Sequence, residues 1–377
     1  MNIGIITAYH EPIGFNHGVL QFCKLLQAST EYGINPVIIA MTRHPSKENP
    51  LVLEARRLGL HVETLHEEFR YDPRVFSGLL KLADRLDLRL LDAQTYKPLA
   101  LGLFAHGLRQ HVSLVSWVHG FTQENLKVRI FGKLETYMHR FSDRVICVSK
   151  PFAEIMVKNG IDRNKMEIIP NAIGDEEFEH VTRPDELREE LGIDKESRIV
   201  GAIGRLSPEK GHSFLIKAWE KIQRPNVKLL IVGAGPCMKA LQQQVKDLEL
   251  QDSVVFTGFR PDGRRFFSIF DVMVLPSLAE GLPYVLLEAM IQKVPVVASA
   301  VGEVPEVLEN GRIGRLVKAG DIDAIAQNVI NLLDNPQDGD CLAFEARTSV
   351  LTRYSHITRT GRIIDVYRQV LASKNNI

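Results

Sequence analysis

The chain has 377 residues, 45% hydrophobic and 24% charged, which is enough for two ordinary globular domains. Its 46 Lys and Arg balance 46 Asp and Glu, so no overall field favours nucleic acid as a partner. The four cysteines are far apart in sequence, without the close pairs of a disulfide framework or a zinc site, and this is typical of a reducing cytosol.

Neither a membrane span nor a targeting segment is expected. No run of about eighteen apolar residues occurs in the sequence. The apolar segment at residues 1–7 lacks a basic flank and is too short for a signal peptide. We therefore expect a cytoplasmic protein.

Short β-branched runs alternate with helical patterns along the chain. The predicted strands are Ile3–Thr7, Pro36–Met41, Leu114–Val118, Arg144–Val148, Met166–Ile169 and, after the charged stretch 175–197, Ile199–Ile203, Val227–Val232, Val254–Thr257, Val272–Leu275 and Val294–Ala298. The clearest helical patterns are Val128–Phe141, His212–Lys221, Ile322–Leu333 and Ile357–Leu371. Strand–helix alternation with short connections predicts an α/β protein with two Rossmann-like domains, which we place at residues 1–172 and 173–356.

Ligands of such sheets bind beyond the carboxyl ends of the strands, so two facing sheets predict a site in the cleft between them. The domains differ slightly in charge. Residues 1–172 hold 21 Lys and Arg against 17 Asp and Glu, and residues 173–377 hold 25 against 29.

The most informative segment follows the strand Val272–Leu275. Pro283 suits the first turn of a helix, which leaves Glu280 and Gly281 in the preceding loop and Glu288 about 7 Å along the helix axis. The free N–H groups of that first turn favour a phosphate. One carboxylate thus lies before the anion site and one beyond it, matching the sugar hydroxyls, diphosphate and ribose hydroxyls of a nucleotide sugar. Without this context, two glutamates would more often be solvated surface charges.

A second segment, 201–211, follows the first strand of the second domain. Arg205 and Lys210 lie five residues apart in a Gly/Pro loop and can converge on one diphosphate, whose negative charge grows as it departs. An ordinary surface turn explains the same residues equally well. The glycine-rich turn at Val232–Pro236 is weak evidence by itself.

These segments together resemble glycosyltransferase family 4. Glu280 and Glu288, with seven residues between them, look like its E-x7-E motif, and the match extends over nearly the whole chain. The other matching segments are Gly204–Gly211, Gly233–Pro236, Pro276–Gly281, Val118–Gly120, Asp143–Ser149 and Ile168–Asn171.

The resemblance implies a GT-B fold and a retaining transfer of a sugar from a nucleotide-sugar donor, in polysaccharide or glycoconjugate synthesis. It implies that Arg205 and Lys210 hold the diphosphate, that Glu288 binds the ribose and that Glu280 binds the donor sugar. Phe259 and Arg260 resemble the loop that meets the nucleobase. The donor-binding set further includes Gly204, Gly281 and Leu282, and residues 357–377 should cross back to the first domain. We expect a UDP-sugar first and a GDP-sugar next.

Two places depart from the family pattern. The N-terminal glycine-rich loop, usually a Gly-Gly pair, corresponds to residues 16–19 here, with Gly18 as the matching residue near the donor phosphate. Asn171 is followed by Ala172 where glycine is common.

His119 follows the strand Leu114–Val118 and should lie at the carboxyl edge of the first sheet. The resemblance makes it an active-site residue near the transferred sugar, whereas a histidine satisfied within a turn is the alternative. No metal is expected in catalysis, since two cations and a helix N-terminus already face the diphosphate and no Asp-x-Asp cluster accompanies them.

The acceptor, a glycan, a lipid-linked sugar or a small molecule, is less determined. The segment Arg74–Arg109 mixes leucines with basic residues, as in an amphipathic helix that touches anionic lipid at the inner membrane face. A plain helix and a buried strand account for the same residues.

Two rival functions bind the same donor. A GT-B-shaped sugar-nucleotide isomerase, such as a 2-epimerase, would need no acceptor, and a non-catalytic binding module would need no turnover. The Glu280–Glu288 segment favours transfer.

Overall fold

The structure is a computed structural model that describes residues 1–8, 13–28, 32–43, 49–69, 72–119, 126–174, 183–222 and 224–375. The chain divides into two compact units. Unit 1 consists of Met1–Asn171 together with His356–Ile377, and unit 2 of Ala172–Ser355.

Each unit is built on one parallel sheet. The strands of unit 1 are β1 (Asn2–Thr7), β2 (Asn35–Thr42), β3 (Val62–His66), β4 (Leu88–Ala93), β5 (Ser113–Val118), β6 (Arg144–Cys147) and β7 (Met166–Ile168). Those of unit 2 are β8 (Arg198–Ile203), β9 (Val227–Val232), β10 (Val254–Gly258), β11 (Val272–Leu275), β12 (Val296–Ser299) and β13 (Arg315–Val317). Their orders are β3-β2-β1-β4-β5-β6-β7 and β10-β9-β8-β11-β12-β13.

Helices connect the strands, as parallel sheets require. They are α1 (Ile13–Ala28), α2 (Pro50–Arg57), α3 (Arg74–Arg85), α4 (Tyr96–Leu108), α5 (Leu126–Met138), α6 (Lys150–Lys158), α7 (Pro184–Glu190), α8 (His212–Ile222), α9 (Met238–Asp247), α10 (Tyr284–Ile291), α11 (Val304–Val307), α12 (Ile322–Asp334), α13 (Pro336–Arg353) and α14 (His356–Asn375). Among the residues that the structure describes, no helix is long and apolar enough to cross a membrane.

The strands are apolar runs because helices cover the sheets. All six residues of β5 and all four of β11 are buried. Polar side chains mark some helix starts: the side chain of Asn49 accepts a hydrogen bond from the N–H of Leu51 at 2.9 Å, and Asp321 does the same for Ala324 at 2.9 Å. These caps define where α2 and α12 begin.

The last helix returns to unit 1, as the sequence predicts. Tyr367 of α14 is fully buried, its ring lies 6.1 Å from that of Phe22 in α1, and its hydroxyl donates a hydrogen bond to Asp92. The predicted α/β fold with two Rossmann-like units is confirmed.

Some local expectations need correction. Of the two interpretations of segment Arg74–Arg109, the structure agrees with the plain helix and buried strand and not with one amphipathic helix. The segment forms α3, β4 and α4, and Leu79, Leu82 and Leu90 are buried in the core. The predicted helix 128–141 ends at Met138 and continues as one 3-10 turn. Strands β3 and β13 were not predicted, because they are short and only partly buried.

Candidate functional site

The loop between β11 and α10 carries Glu280, whose carboxylate is held from two sides. The Lys210 ammonium lies 2.8 and 3.0 Å from its two oxygens, and the Ser277 hydroxyl donates to Oε1 at 2.6 Å. The Glu280 side chain is 7% exposed and that of Lys210 25%. The structure therefore brings together two residues that the sequence assigns to different parts of one ligand.

The loops after β8 and β11 lie in direct contact at this pair. The N–H of Leu278 donates to the carbonyl of Glu209 at 2.8 Å. Gly211 has φ +66°, and a Cβ there would lie 2.1 Å from the carbonyl oxygen of Pro276. Only glycine fits this close approach. Gly211 therefore allows the loop that carries Lys210 to lie against the loop after β11.

The loop after β12 also packs against the loop that carries Glu280 and Gly281. The N–H of Glu303 donates to the carbonyl of Gly281 at 2.9 Å, and a Cβ on Gly302, which has φ +58°, would lie 2.2 Å from the carbonyl oxygen of Glu280. Leu282 is buried in the core of unit 2. Glu280 and Gly281 thus belong to a loop fixed by its neighbours.

Arg205 and Lys210 both influence the carboxylate of Glu209, which lies between them in sequence. Burial raises the pKa of Glu209, but the hydrogen bond from Ser207, a backbone hydrogen bond and the charges of Lys210 and Arg205 outweigh it, so its pKa is lowered. Arg205 is exposed in the loop after β8, beside Gly204. The charges of the two predicted cations therefore both act on the carboxylate of Glu209.

Glu288 lies within α10, and its Oε1 accepts a hydrogen bond from Nε of Arg264 at 2.8 Å. Its side chain is 15% exposed. Pro283 occupies the N-cap position, so it precedes the first helical turn rather than belonging to it. Glu280 and Glu288 lie on either side of the start of this helix.

Phe259 and Arg260, the predicted nucleobase loop, follow β10. Phe259 is 70% exposed. Arg260 donates to Asp262 at 2.8 Å, pairs with Glu190, and lies 5.1 Å from the ring of Phe266. These contacts fix Arg260, while the ring of Phe259 is accessible to a stacking partner.

In unit 1, His119 lies just after β5. Its Nε2 is 3.3 Å from Oε1 of Gln94, and its ring stacks on Trp117 with centroids 5.6 Å apart and planes 4° apart. Burial, followed by the charges of Arg359 and His139, lowers the pKa of His119 to about 3. The imidazole is therefore uncharged at neutral pH.

Gly18 does not lie in a loop. It belongs to α1, which runs without a break from Ile13 to Ala28, so the expected glycine-rich loop is helical at this residue. Residues 9–12, which precede α1, lie outside the described residues. Segment 120–125, which contains Gly120 of the matching motif, lies outside them as well.

Three residues near these groups were not predicted from the sequence. They are Ser277 and Arg264, which hold the two glutamates, and His212, which follows Gly211. His212 is buried with no hydrogen-bond partner at Nδ1, and burial, then the charge of Lys210, lowers its pKa to about 4. Ser277 and His212 lie within or beside the family-like motifs, whereas no feature of the sequence indicated Arg264.

Within the described residues, no group of three His, Cys, Asp or Glu side chains is arranged to hold a metal ion. A metal-independent reaction stays a prediction.

Two family models match consecutive parts of the chain. Residues 14–177 match the model described as Glycosyltransferase Family 4, and residues 184–348 match Glycosyl transferases group 1. The chain belongs to glycosyltransferase family 4.

Relatives of this glycosyltransferase include enzymes with different donors. The chain is 26% identical over 314 residues, 80% of this chain and 81% of the relative, to UDP-Gal:alpha-D-GlcNAc-diphosphoundecaprenol alpha-1,3-galactosyltransferase of Escherichia coli. It is 33% identical over 191 residues, 48% of this chain and 50% of the relative, to GDP-mannose-dependent alpha-(1-6)-phosphatidylinositol monomannoside mannosyltransferase of Mycolicibacterium smegmatis.

A solved structure confirms the fold. Anabaena HepE, in complex with UDP and glucose, superposes with a TM-score of 0.81 over 98% of this chain and 100% of that one, at 22% identity. The expected GT-B fold is confirmed. Both named relatives are transferases, and neither is a sugar-nucleotide isomerase.

Proposed function

We propose that this glycosyltransferase moves a sugar, with retention of configuration, from a nucleotide-sugar donor to an acceptor in polysaccharide or glycoconjugate synthesis. The observation that carries the proposal is the pairing of Lys210 with Glu280 at 2.8 Å beside the start of α10. It joins a cation suited to phosphate and a carboxylate suited to sugar hydroxyls at one point.

Lys210 serves the departing diphosphate in this proposal. An ammonium has three N–H donors, so Lys210 can keep Glu280 and still donate to a phosphate oxygen. Arg205 and the N–H groups at the start of α10 add positive potential. Negative charge grows on the diphosphate as the glycosidic bond breaks, and removing one such cation should cost on the order of 2–4 kcal/mol, or roughly 10²–10³ in rate.

Glu288 is assigned to the ribose and Glu280 to the sugar. Arg264 donates to Oε1 of Glu288 at 2.8 Å and so orients a carboxylate, which can accept several hydrogen bonds, including those of ribose hydroxyls. Ser277 and Lys210 orient Glu280 in the same way toward sugar hydroxyls. Phe259, 70% exposed, offers a face to the base.

A UDP-sugar is the favoured donor and a GDP-sugar the next. The Escherichia coli relative is named for UDP-Gal, HepE is in complex with UDP, and the Mycolicibacterium smegmatis relative is GDP-mannose-dependent. These named donors support both nucleotides.

The acceptor is assigned to unit 1, where His119 serves as a neutral polar group rather than as a general base. In the proposed retaining reaction the departing phosphate accepts the proton of the acceptor hydroxyl on the same face. The acceptors named for the two relatives, a diphosphoundecaprenol-linked sugar and a phosphatidylinositol mannoside, support a lipid-linked substrate.

A peripheral membrane contact through unit 1 fits such an acceptor. Helices α4 and α5 pack together and expose Leu108 by 53%, Leu134 by 51% and Tyr137 by 52%, and Arg140 lies 5.3 Å from the Tyr137 ring. Exposed apolar and aromatic side chains beside cations favour an anionic bilayer surface.

A thermal-shift panel of UDP, GDP, ADP and dTDP tests the donor assignment. A ligand that binds only the folded protein at a hundredfold excess over Kd stabilises it by about 2.7 kcal/mol, which is a shift of several degrees. UDP should give the largest shift. Transfer from the matching nucleotide sugar should then fall roughly 10²–10³-fold in Lys210→Ala.

Two outcomes would contradict the proposal. If none of the four nucleotides shifted the melting temperature, the assignment of a donor site would be wrong. An epimerised sugar nucleotide, formed from donor alone without an acceptor, would identify an isomerase instead.

A further inference from the structure

Arg359, in the returning helix α14, is a buried guanidinium with unmatched hydrogen-bonding capacity. The residue is 9% exposed, and its Nε has no hydrogen-bond partner among the described residues. Its guanidinium carbon lies 4.9 Å from the centroid of the Trp117 ring, in a cation–π contact. A π face stabilises the charge but leaves the N–H donors of the cation without acceptors.

Buried cations are normally paired, because desolvation of an unpaired charge costs several kcal/mol. The charge of Arg359 acts on the neighbouring carboxylate of Asp92 and opposes the rise that burial causes in its pKa, but the two groups are not hydrogen-bonded to each other. The carboxylate accepts from Trp117 at 2.9 Å, from Tyr367 and from Gln94, and none of the hydrogen bonds that it accepts within the described part of the chain comes from Arg359. Elsewhere in unit 1, Lys97 is paired directly with Glu67, which shows the usual arrangement.

Arg359 lies where open α/β sheets bind ligands. Trp117 is in β5, and Gln94 and His119 follow the carboxyl ends of β4 and β5. Thr7 ends β1, and its hydroxyl is buried with no hydrogen-bond partner in the described structure. The chain runs from β1 to β3 in one direction and from β4 to β7 in the other, so β1 and β4 flank the switch point of the sheet.

We infer that Arg359 forms an anion subsite of unit 1, which takes a carboxylate or phosphate group carried by the acceptor. The guanidinium offers a planar fork that matches either group with two hydrogen bonds. The Thr7 hydroxyl and the His119 imidazole lie at the same strand ends and supply neutral polar contacts. The charge of unit 1 agrees, because its sequence holds 25 Lys and Arg against 18 Asp and Glu.

That the anion belongs to the acceptor rests on the proposed function, but the subsite itself does not. Inorganic phosphate and acetate serve as probes, with the side-chain Nε–H signals of arginine observed by NMR in the full chain. Arg359→Met removes the guanidinium and keeps an apolar chain over Trp117. Arg362→Met, which changes an exposed arginine about one turn further along α14, is the matched control.

Phosphate should move the Nε–H signal of Arg359 saturably in the parent and in Arg362→Met, whether or not Arg205 at the donor site also responds. That signal should be missing from Arg359→Met, and Arg359→Lys should bind phosphate about tenfold more weakly, as judged by its thermal shift, because an ammonium lacks the planar fork. If Arg359→Met does not fold, Arg359→Lys provides the comparison. Absence of a saturable response to both probes in the folded parent would overturn the subsite.

Repeating the phosphate titration in the presence of UDP distinguishes a subsite for an acceptor phosphate from one for the donor phosphate. Saturating UDP should leave the phosphate response at Arg359 unchanged, since the nucleotide is assigned to unit 2. Displacement of phosphate from Arg359 by UDP would reassign the subsite to the donor and overturn the inference. Failure of the proposed function would appear separately, as absence of any nucleotide shift with the phosphate response intact.

Discussion

Lys210→Met should destabilise unit 2 as well as lower transfer. The substitution leaves Glu280, 7% exposed, as a buried carboxylate whose remaining side-chain donor in the described part of the chain is Ser277 at 2.6 Å. Breaking a fully buried pair costs about 3–5 kcal/mol. Because Lys210 is 25% exposed and Ser277 stays, we expect about 2–3 kcal/mol here.

For a unit of this size, 1 kcal/mol moves the melting temperature by about 2–4 °C, so the expected decrease is about 4–12 °C. The double variant Lys210→Met/Glu280→Gln removes both charges and should recover most of that loss, because no unpaired carboxylate remains. Its transfer rate should stay low, since both groups are assigned to the donor.

The measurement is calorimetric melting of the two single variants, the double variant and the parent, with transfer assayed alongside. Lys221→Met is the matched control, since Lys221 of helix α8 forms an exposed ion pair with Asp323 and the variant should melt like the parent. If Lys210→Met melted at the parent temperature, or if the double variant were no more stable than Lys210→Met, the pair would not stabilise the loop that carries Glu280.

The two glutamates should differ in role, since Glu288 is assigned to the ribose and Glu280 to the sugar. Glu288→Gln should remove most of the UDP thermal shift, whereas Glu280→Gln should chiefly lower turnover. Equal loss of UDP affinity in the two variants would refute the distinction. Transfer should persist in a chelator, and a rate that vanished with chelator and returned with one divalent ion would contradict metal independence. His212, whose pKa is lowered to about 4, binds its proton more readily in the unfolded chain, so it should reduce stability by about 2–3 kcal/mol as pH falls from about 6.5 to 4. His212→Gln should lose less stability over that range in urea unfolding, and an identical acid dependence in both proteins would rule the effect out.

The local pattern of apolar and polar residues was sufficient to predict most of the fold. Parallel strands covered on both faces must be short apolar runs, so β5, β9 and β11 can be recognised from sequence alone. Short and partly exposed strands such as β3 and β13 carry too little of that signal. The composition of segment Arg74–Arg109 fits both an amphipathic surface helix and a plain helix followed by a buried strand. Burial against the sheet distinguishes the two interpretations.

Local sequence also shows which residue types stand at the strand ends, because loop glycines, prolines and charged residues at fixed spacing reflect backbone geometry. Glu280, Glu288, Arg205 and Lys210 were predicted as site residues in this way. Which of them meet depends on long-range packing, since Lys210 and Glu280 are 70 residues apart and are joined by the adjacency of β8 and β11. The same holds for Arg359, which the return of α14 places over Trp117. Whether the Nε–H of Arg359 finds an acceptor depends on its surroundings, and those surroundings come from distant parts of the chain.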